Sequence, residues 1–245
     1  MKTNPKILLY ILMISTLGIN TPLSIVGIIS QIAEYFNTSI AISGLYVSSF
    51  TFTIAICGLF IPVLFSRFER KRTFISILTV FAISNIVIIF TKSICIASFF
   101  RILSAVFYPA FISIALTVCE EIAPKGQEQD YITKMLLGIS VGSIIGLPIT
   151  TGFGTIFGYQ VAMTWIFLIN FITLILITIF FPRIEGKSKS YEMPFSSLKS
   201  KEFILATVGI IMMPIGASIV YNYQPLFLQV VSHVYTYKLS LFLFI

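Results

Sequence analysis

Seven stretches of the chain are each apolar for long enough to cross a lipid bilayer: 7–29, 41–65, 74–91, 94–118, 135–158, 162–181 and 203–226. A hydrocarbon core of about 30 Å takes about 20 residues of helix to cross. Inside it every backbone amide needs a partner within the chain, so runs of this length read as helices. An eighth run starts near Leu239, and seven residues of it precede the stop at Ile245, counting both ends. Of the 245 residues, 57% are hydrophobic and only 10% charged, where a soluble domain carries about 25% charged residues. A fold of this size cannot hide that much apolar surface from water. The chain therefore reads as an all-α integral membrane protein, with lipid as its solvent. The basic start MKTNPK suits a signal peptide, but the first apolar stretch continues past Ile19 to about Ala33 and no small-x-small site closes it. It reads as a retained helix.

The net charge of +7 does not form a nucleic-acid face, because the cations sit at the ends of apolar runs. They read instead as topology signals, Lys and Arg marking the cytoplasmic side. A cytoplasmic N-terminus puts on one side Lys2, Lys6, the four cations of the hexapeptide 67–72 (RFERKR), Lys125, Lys134 and the five of 183–201. Only Lys92 and Lys238 fall on the other side. The expectation is a multi-pass protein of the cell membrane in which the 67–72 cluster pins the turn into the third helix. The link 182–202 is long and polar. It divides a six-helix bundle, 1–181, from the start of a second bundle, 203–245, which holds a seventh helix and the start of an eighth.

Catalytic chemistry finds no footing here. Cys57, Cys95 and Cys119 lie within or at the ends of apolar runs, without a CxxC spacing, and read as small packing residues. His233 is the one histidine and cannot form a metal site by itself. Paired carboxylates, Gly-x-Ser-x-Gly and P-loop patterns are missing from the sequence. The reading is a protein that is no enzyme, with no metal and no cofactor.

Polar residues inside the apolar runs are the candidates for function. Arg101 lies in the fourth run, about 10 Å deep at 1.5 Å per residue. A cation at that depth costs about 2.5–3.5 kcal/mol on insertion scales, and such residues face cavities; the alternative is a side chain snorkelling to the interface. Tyr108 lies two turns further along the same face. In the first run Thr16, Asn20 and Ser24 recur at i, i+4, i+8 and form one polar stripe. The stripe either lines a cavity or joins helices. Asn222 and Tyr223 in the seventh run are similar candidates. In the fifth run Gly138, Gly142 and Gly146 form two small-xxx-small steps, with Pro148 beyond. Tight packing and a bending point are both open readings. No Asp or Glu falls in the middle of a run, so a coupling carboxylate is expected outside this portion.

Six helices, a long cytoplasmic linker and further helices resemble the major facilitator superfamily. That family carries Gly-x-x-x-Asp-Arg-x-Gly-Arg-Arg/Lys between its second and third helices. The window PVLFSRFERK is similar, with Arg67, Arg70 and Lys71 at the cations, Pro62 at the first Gly, Ser66 at the Asp and Glu69 at the second Gly. A Pro without the Asp resembles the sugar- and arabinose-efflux branch of the drug:proton antiporters. RILSAVFYPAF resembles that branch's Arg-bearing fourth helix, with Arg101 at the Arg. GISVGSIIGLPITTGFG is similar to its glycine-rich fifth, and YNYQPLFL to the Tyr-x-x-Pro exit of the seventh. The resemblance implies an efflux permease for a small organic solute, working by alternating access between two bundles and using a coupling proton. The partners implied are the lipid bilayer and either the rest of a second bundle or a second copy. The alternative expectation is a membrane fragment that transports nothing by itself.

Overall fold

The computed structural model describes residues 4–58 and 60–185. Among these residues it contains helices and no strand, and six helices are long and apolar enough to cross a membrane. The first span opens with α1, Pro5–Asn20. Asn4 caps it by accepting from the Lys6 amide at 3.0 Å, and Pro5 sits in its first turn, where a missing N–H costs nothing. At Pro22 the helix tightens into a 3₁₀ stretch, Thr21–Ile28, then resumes as α2, Ile29–Tyr35. Eight residues is long for a 3₁₀ segment, which rarely exceeds about four.

The second run, expected as one helix over 41–65, is two. α3 spans Ile40–Cys57, capped by Ser39, which accepts from the Ile42 amide. A separate short α4 spans Ile61–Phe65 with Pro62 in its first turn. Proline lacks a donor and crowds the carbonyl four residues back, here that of Gly58, so the chain turns instead of continuing. The third, fourth and fifth helices outrun their apolar segments. α5 is Arg70–Phe90, α6 is Ile94–Ile122 through Glu120 and Glu121, and α7 is Glu128–Phe157. Their polar end turns are helical but carry no hydropathy signal. α7 passes to α8, Tyr159–Phe180, through Gly158 alone, at φ +87°. A side chain there would be strained, so the tight reversal depends on glycine. Pro109 and Pro148 lie inside unbroken helices.

The bundle has two apolar layers. One joins Leu8, Leu12 and Ile19 of α1 to Phe74 and Phe81 of α5, Phe111 of α6 and Phe181 after α8. The other joins Ile25, Ile28 and Ile32 to Tyr46, Ile89, Tyr159 and Ile166. A belt of buried polar residues lies along the spans where the two layers meet.

Candidate functional site

The belt is organised around the first span. Asn20 is 1% exposed, and its amide is used from three sides. Nδ2 donates to the Ile139 carbonyl at 3.0 Å and to Ser143 Oγ at 2.7 Å, while Oδ1 accepts from the Tyr108 hydroxyl at 2.9 Å. One turn away on each side, Thr16 donates to the Met135 carbonyl and Ser24 bonds Thr150 at 2.7 Å. The stripe at i, i+4, i+8 is therefore bonded along its length to α7, with α6 joining at Tyr108. The hydroxyls of Thr16, Thr21 and Ser24 also donate to carbonyls three residues back in their own span.

Arg101 on α6 is 2% exposed. Its Nη2 donates to the Pro22 carbonyl at 3.1 Å, inside the 3₁₀ stretch. The guanidinium sits over Phe50 at 4.7 Å and over Tyr46 at 5.2 Å, both on α3. Nε has no hydrogen-bond partner, and no carboxylate among the described residues pairs with the charge. A delocalised cation between aromatic faces and a carbonyl is stabilised without an ion pair. Arg101 thereby ties the first, second and fourth spans together. Tyr46 in turn reaches Tyr159 on α8, hydroxyl to hydroxyl at 3.4 Å.

Asn20, Arg101 and Tyr108 are thus brought into one buried belt. All three are buried inside the bundle. Asn222 and Tyr223 lie outside the described residues. Sequence reasoning missed Tyr46, Phe50, Ser143, Thr150 and Asn170, the last donating to the Ile166 carbonyl at 2.9 Å and to Thr21. A lone amide in an apolar run, as in IFLINFITL, was the available signal for Asn170. The aromatic partners of Arg101 offered none, because Tyr and Phe occur throughout the spans.

The Major Facilitator Superfamily model matches residues 8–245. The chain belongs to this superfamily. Among curated relatives, a probable sugar efflux transporter of Mannheimia succiniciproducens is 28% identical over 163 residues, 66% of this chain and 41% of that protein. Another probable sugar efflux transporter, from Pasteurella multocida, is 24% identical over 207 residues, 84% of this chain and 51% of that protein. An uncharacterized MFS-type transporter of Bacillus subtilis is 24% identical over 156 residues, 63% of this chain and 39% of that protein. The chain thus spans about half or less of the relatives it matches. Among solved structures, an inward-facing, occupied bacterial homolog of the human lysosomal transporter Spinster superposes with a TM-score of 0.79 at 15% identity, over 98% of this chain and 57% of that one. The POT family transporter PepTSo gives 0.61 at 14% identity, over 98% and 51%. These likenesses carry the fold.

The superfamily loop motif falls at the α4–α5 turn. Pro62 opens α4, and the Ser66 hydroxyl returns to the Val63 carbonyl at 2.8 Å. Glu69 pairs with Arg72, Oε2 to Nε, at 2.9 Å. Arg70 is 2% exposed and donates from Nη1 to the Ser66 carbonyl, while Arg67 is exposed and Lys71 half-buried. The glycines of the superfamily's fifth helix face α1. A Cβ on Gly138 would overlap the Met13 carbonyl oxygen and Thr16 Oγ1, one on Gly142 would press on the Leu17 carbonyl, and Gly146 lies against Ser24. α7 remains helical through Pro148.

Proposed function

We propose that the chain forms the first bundle of a secondary transporter that exports a small, sugar-like solute, with a proton as the counter-ion. The observation that carries the reading is the contrast between bonded and exposed hydroxyls. Inside the bundle, Thr16, Asn20 and Ser24 are bonded to α7. On α3, Ser48 and Thr51 stand exposed one turn apart, among exposed apolar neighbours such as Leu45 and Phe52. Neutral hydroxyls on such a face suit a path shared with a second bundle, and hydrogen-bonding to a polyhydroxy solute. The superfamily match through residue 245 and the sugar-efflux names of two relatives support the same reading. The belt of Asn20, Tyr108 and Arg101 lies behind this face and holds the spans that must move together.

The orientation that goes with this function has a cytoplasmic N-terminus and a cytoplasmic 182–202 link in the cell membrane, supported by the cation bias of the sequence. The test is efflux of labelled sugars from cells expressing the chain joined to a second superfamily bundle, with and without a protonophore. Gradient-dependent efflux, reduced in Ser48→Leu/Thr51→Leu, is expected. Residues 1–245 by themselves are expected to give no coupled efflux, and sugar movement indifferent to the protonophore would remove the proton from the scheme.

A further inference from the structure

The hexapeptide 67–72 holds more charge than a topology signal needs, and its geometry is specific. Arg70, Lys71 and Arg72 form the first turn of α5, which holds no acid; the N-cap residue is Glu69, whose side chain makes no cap bond and pairs with Arg72 instead. Cations at the positive end of a helix dipole are destabilising unless an anion sits there with them. The turn is not simply splayed into water. Arg70 is 2% exposed and folds back under the turn, with Nη1 on the Ser66 carbonyl at 2.9 Å and its buried Nε without a partner. Its backbone amide donates to the Ile184 carbonyl at 2.9 Å. That bond brings the exposed Arg183, from the exit of α8, beside the cluster. Two acids are near: Glu69, already held by Arg72, and the exposed Glu185. Beside the cations, Leu64 is 62% and Phe68 56% exposed.

We propose that Arg67, Lys71, Arg72 and Arg183, arranged over the uncapped start of α5, form a headgroup site for an anionic phospholipid of the adjoining leaflet. Its phosphodiester neutralises the cations and the helix end, and its acyl chains lie along Leu64 and Phe68. The charge supplies the attraction, since basic residues at a membrane surface are drawn to anionic lipid. The apolar neighbours select a lipid over a free ion. The two acids limit the site rather than forming it: Glu69 is held by Arg72 within the turn, and the exposed Glu185 follows Arg183 by two residues.

The experiment uses the full 245-residue chain in detergent, titrated with phosphatidylglycerol, phosphatidylcholine or inorganic phosphate and read by native mass spectrometry. Retention of phosphatidylglycerol well above phosphatidylcholine is expected. Arg67→Gln/Arg183→Gln takes one cation from each contributing element and leaves the others to preserve topology. It is expected to weaken phosphatidylglycerol retention by about tenfold or more, since each basic residue near an anionic surface is worth about fivefold. Lys125→Gln/Lys134→Gln, at other loops, is expected to retain it. The charge-preserving Arg67→Lys/Arg183→Lys keeps the comparison valid if the Gln variant misfolds, and is expected to stay close to the unaltered chain. Equal retention of both lipids, or equal loss in the Lys125/Lys134 variant, would reduce the site to diffuse attraction and overturn it. Displacement of the lipid by millimolar phosphate would make it a free-phosphate site and overturn the lipid assignment.

Discussion

The first and second spans are both apolar enough to cross a membrane, yet in an apolar 18-residue stretch of each the bundle buries 72% of the first and 17% of the second. The first threads the centre, touching α6, α7 and α8 through Tyr108, Gly138 and Thr173. The second, α3, turns inward only Ser43, Tyr46 and Phe50. Apolarity does not separate them, because in a membrane both the interior and the outer surface are apolar. Small and hydrogen-bonding residues do. The buried span places a hydroxyl or amide at every turn from 16 to 24 and finds a partner for each, while the peripheral one leaves Ser48 and Thr51 outside.

The strongest test of this contrast is a matched pair of glycines. Gly138→Ala would drive a methyl into the Met13 carbonyl oxygen and Thr16 Oγ1, and overpacking of this kind costs about 1–3 kcal/mol. A clear fall in the melting temperature of the detergent-solubilised chain is expected. Gly44→Ala on α3 meets nothing within 4 Å and is expected to be neutral or to stabilise by up to about 1 kcal/mol through helix propensity. Equal falls in the two variants would break the comparison.

Next in size is the Asn20–Tyr108 bond. Asn20→Leu leaves the buried Tyr108 hydroxyl without its partner and is expected to cost about 1–3 kcal/mol. With Tyr108→Phe it forms a double-mutant cycle, whose coupling should fall between about 0.6 and 1.7 kcal/mol, the range of interhelical bonds in membranes. No coupling would mean that the bond does not hold α6 to the first span.

A smaller effect is expected at Arg101, despite its burial. It has no carboxylate to leave behind, so Arg101→Met replaces an unpaired charge with an apolar chain of similar reach and should shift stability by less than about 1 kcal/mol. Efflux in the two-bundle protein is expected to be lost all the same. Loss of folding would instead show that the contacts with Pro22 and Phe50 stabilise the bundle by more than burying the charge costs.

The smallest change in stability, under about 0.5 kcal/mol, is expected for Ser48→Cys, which carries the sharpest readout of exposure. With Cys57, Cys95 and Cys119 replaced, a cysteine at position 48 should react with a hydrophilic thiol reagent, and one at Asn20 should not. Reversed labelling would exchange the roles of the two spans.

Much of the architecture was legible because bilayer thickness fixes helix length: each of the first six apolar runs contains a spanning helix. Asn20 and Arg101 were legible as singular residues because polar groups in lipid demand partners. Which partners they take was not, since it depends on how helices far apart in sequence rotate against one another. Arg101 illustrates this. Its depth suggested a cavity, and its contacts are two rings of α3 and the Pro22 carbonyl. The split of the second span was hidden because Gly58 and Pro62 lie inside a run that hydropathy averages over. The helical ends at Arg70, Ile122 and Glu128 were hidden because charged turns in the headgroup region look like loops.

The 3₁₀ stretch of the first span sets an angular phase. A 3₁₀ helix advances 120° per residue and an α-helix 100°, so over eight residues the two differ by about 160°. Ile28 and Ile32 therefore point nearly half a turn away from where an unbroken α-helix would aim them. The 3₁₀ form is also longer by about 4 Å over the same residues. One protein segment can thus send its lower half into the layer of Phe74 and Phe111 and its upper half into the layer of Tyr46 and Tyr159. Relaxing Thr21–Ile28 to α-helical winding would rotate one layer against the other, and the Pro22 carbonyl held by Arg101 lies on the dial.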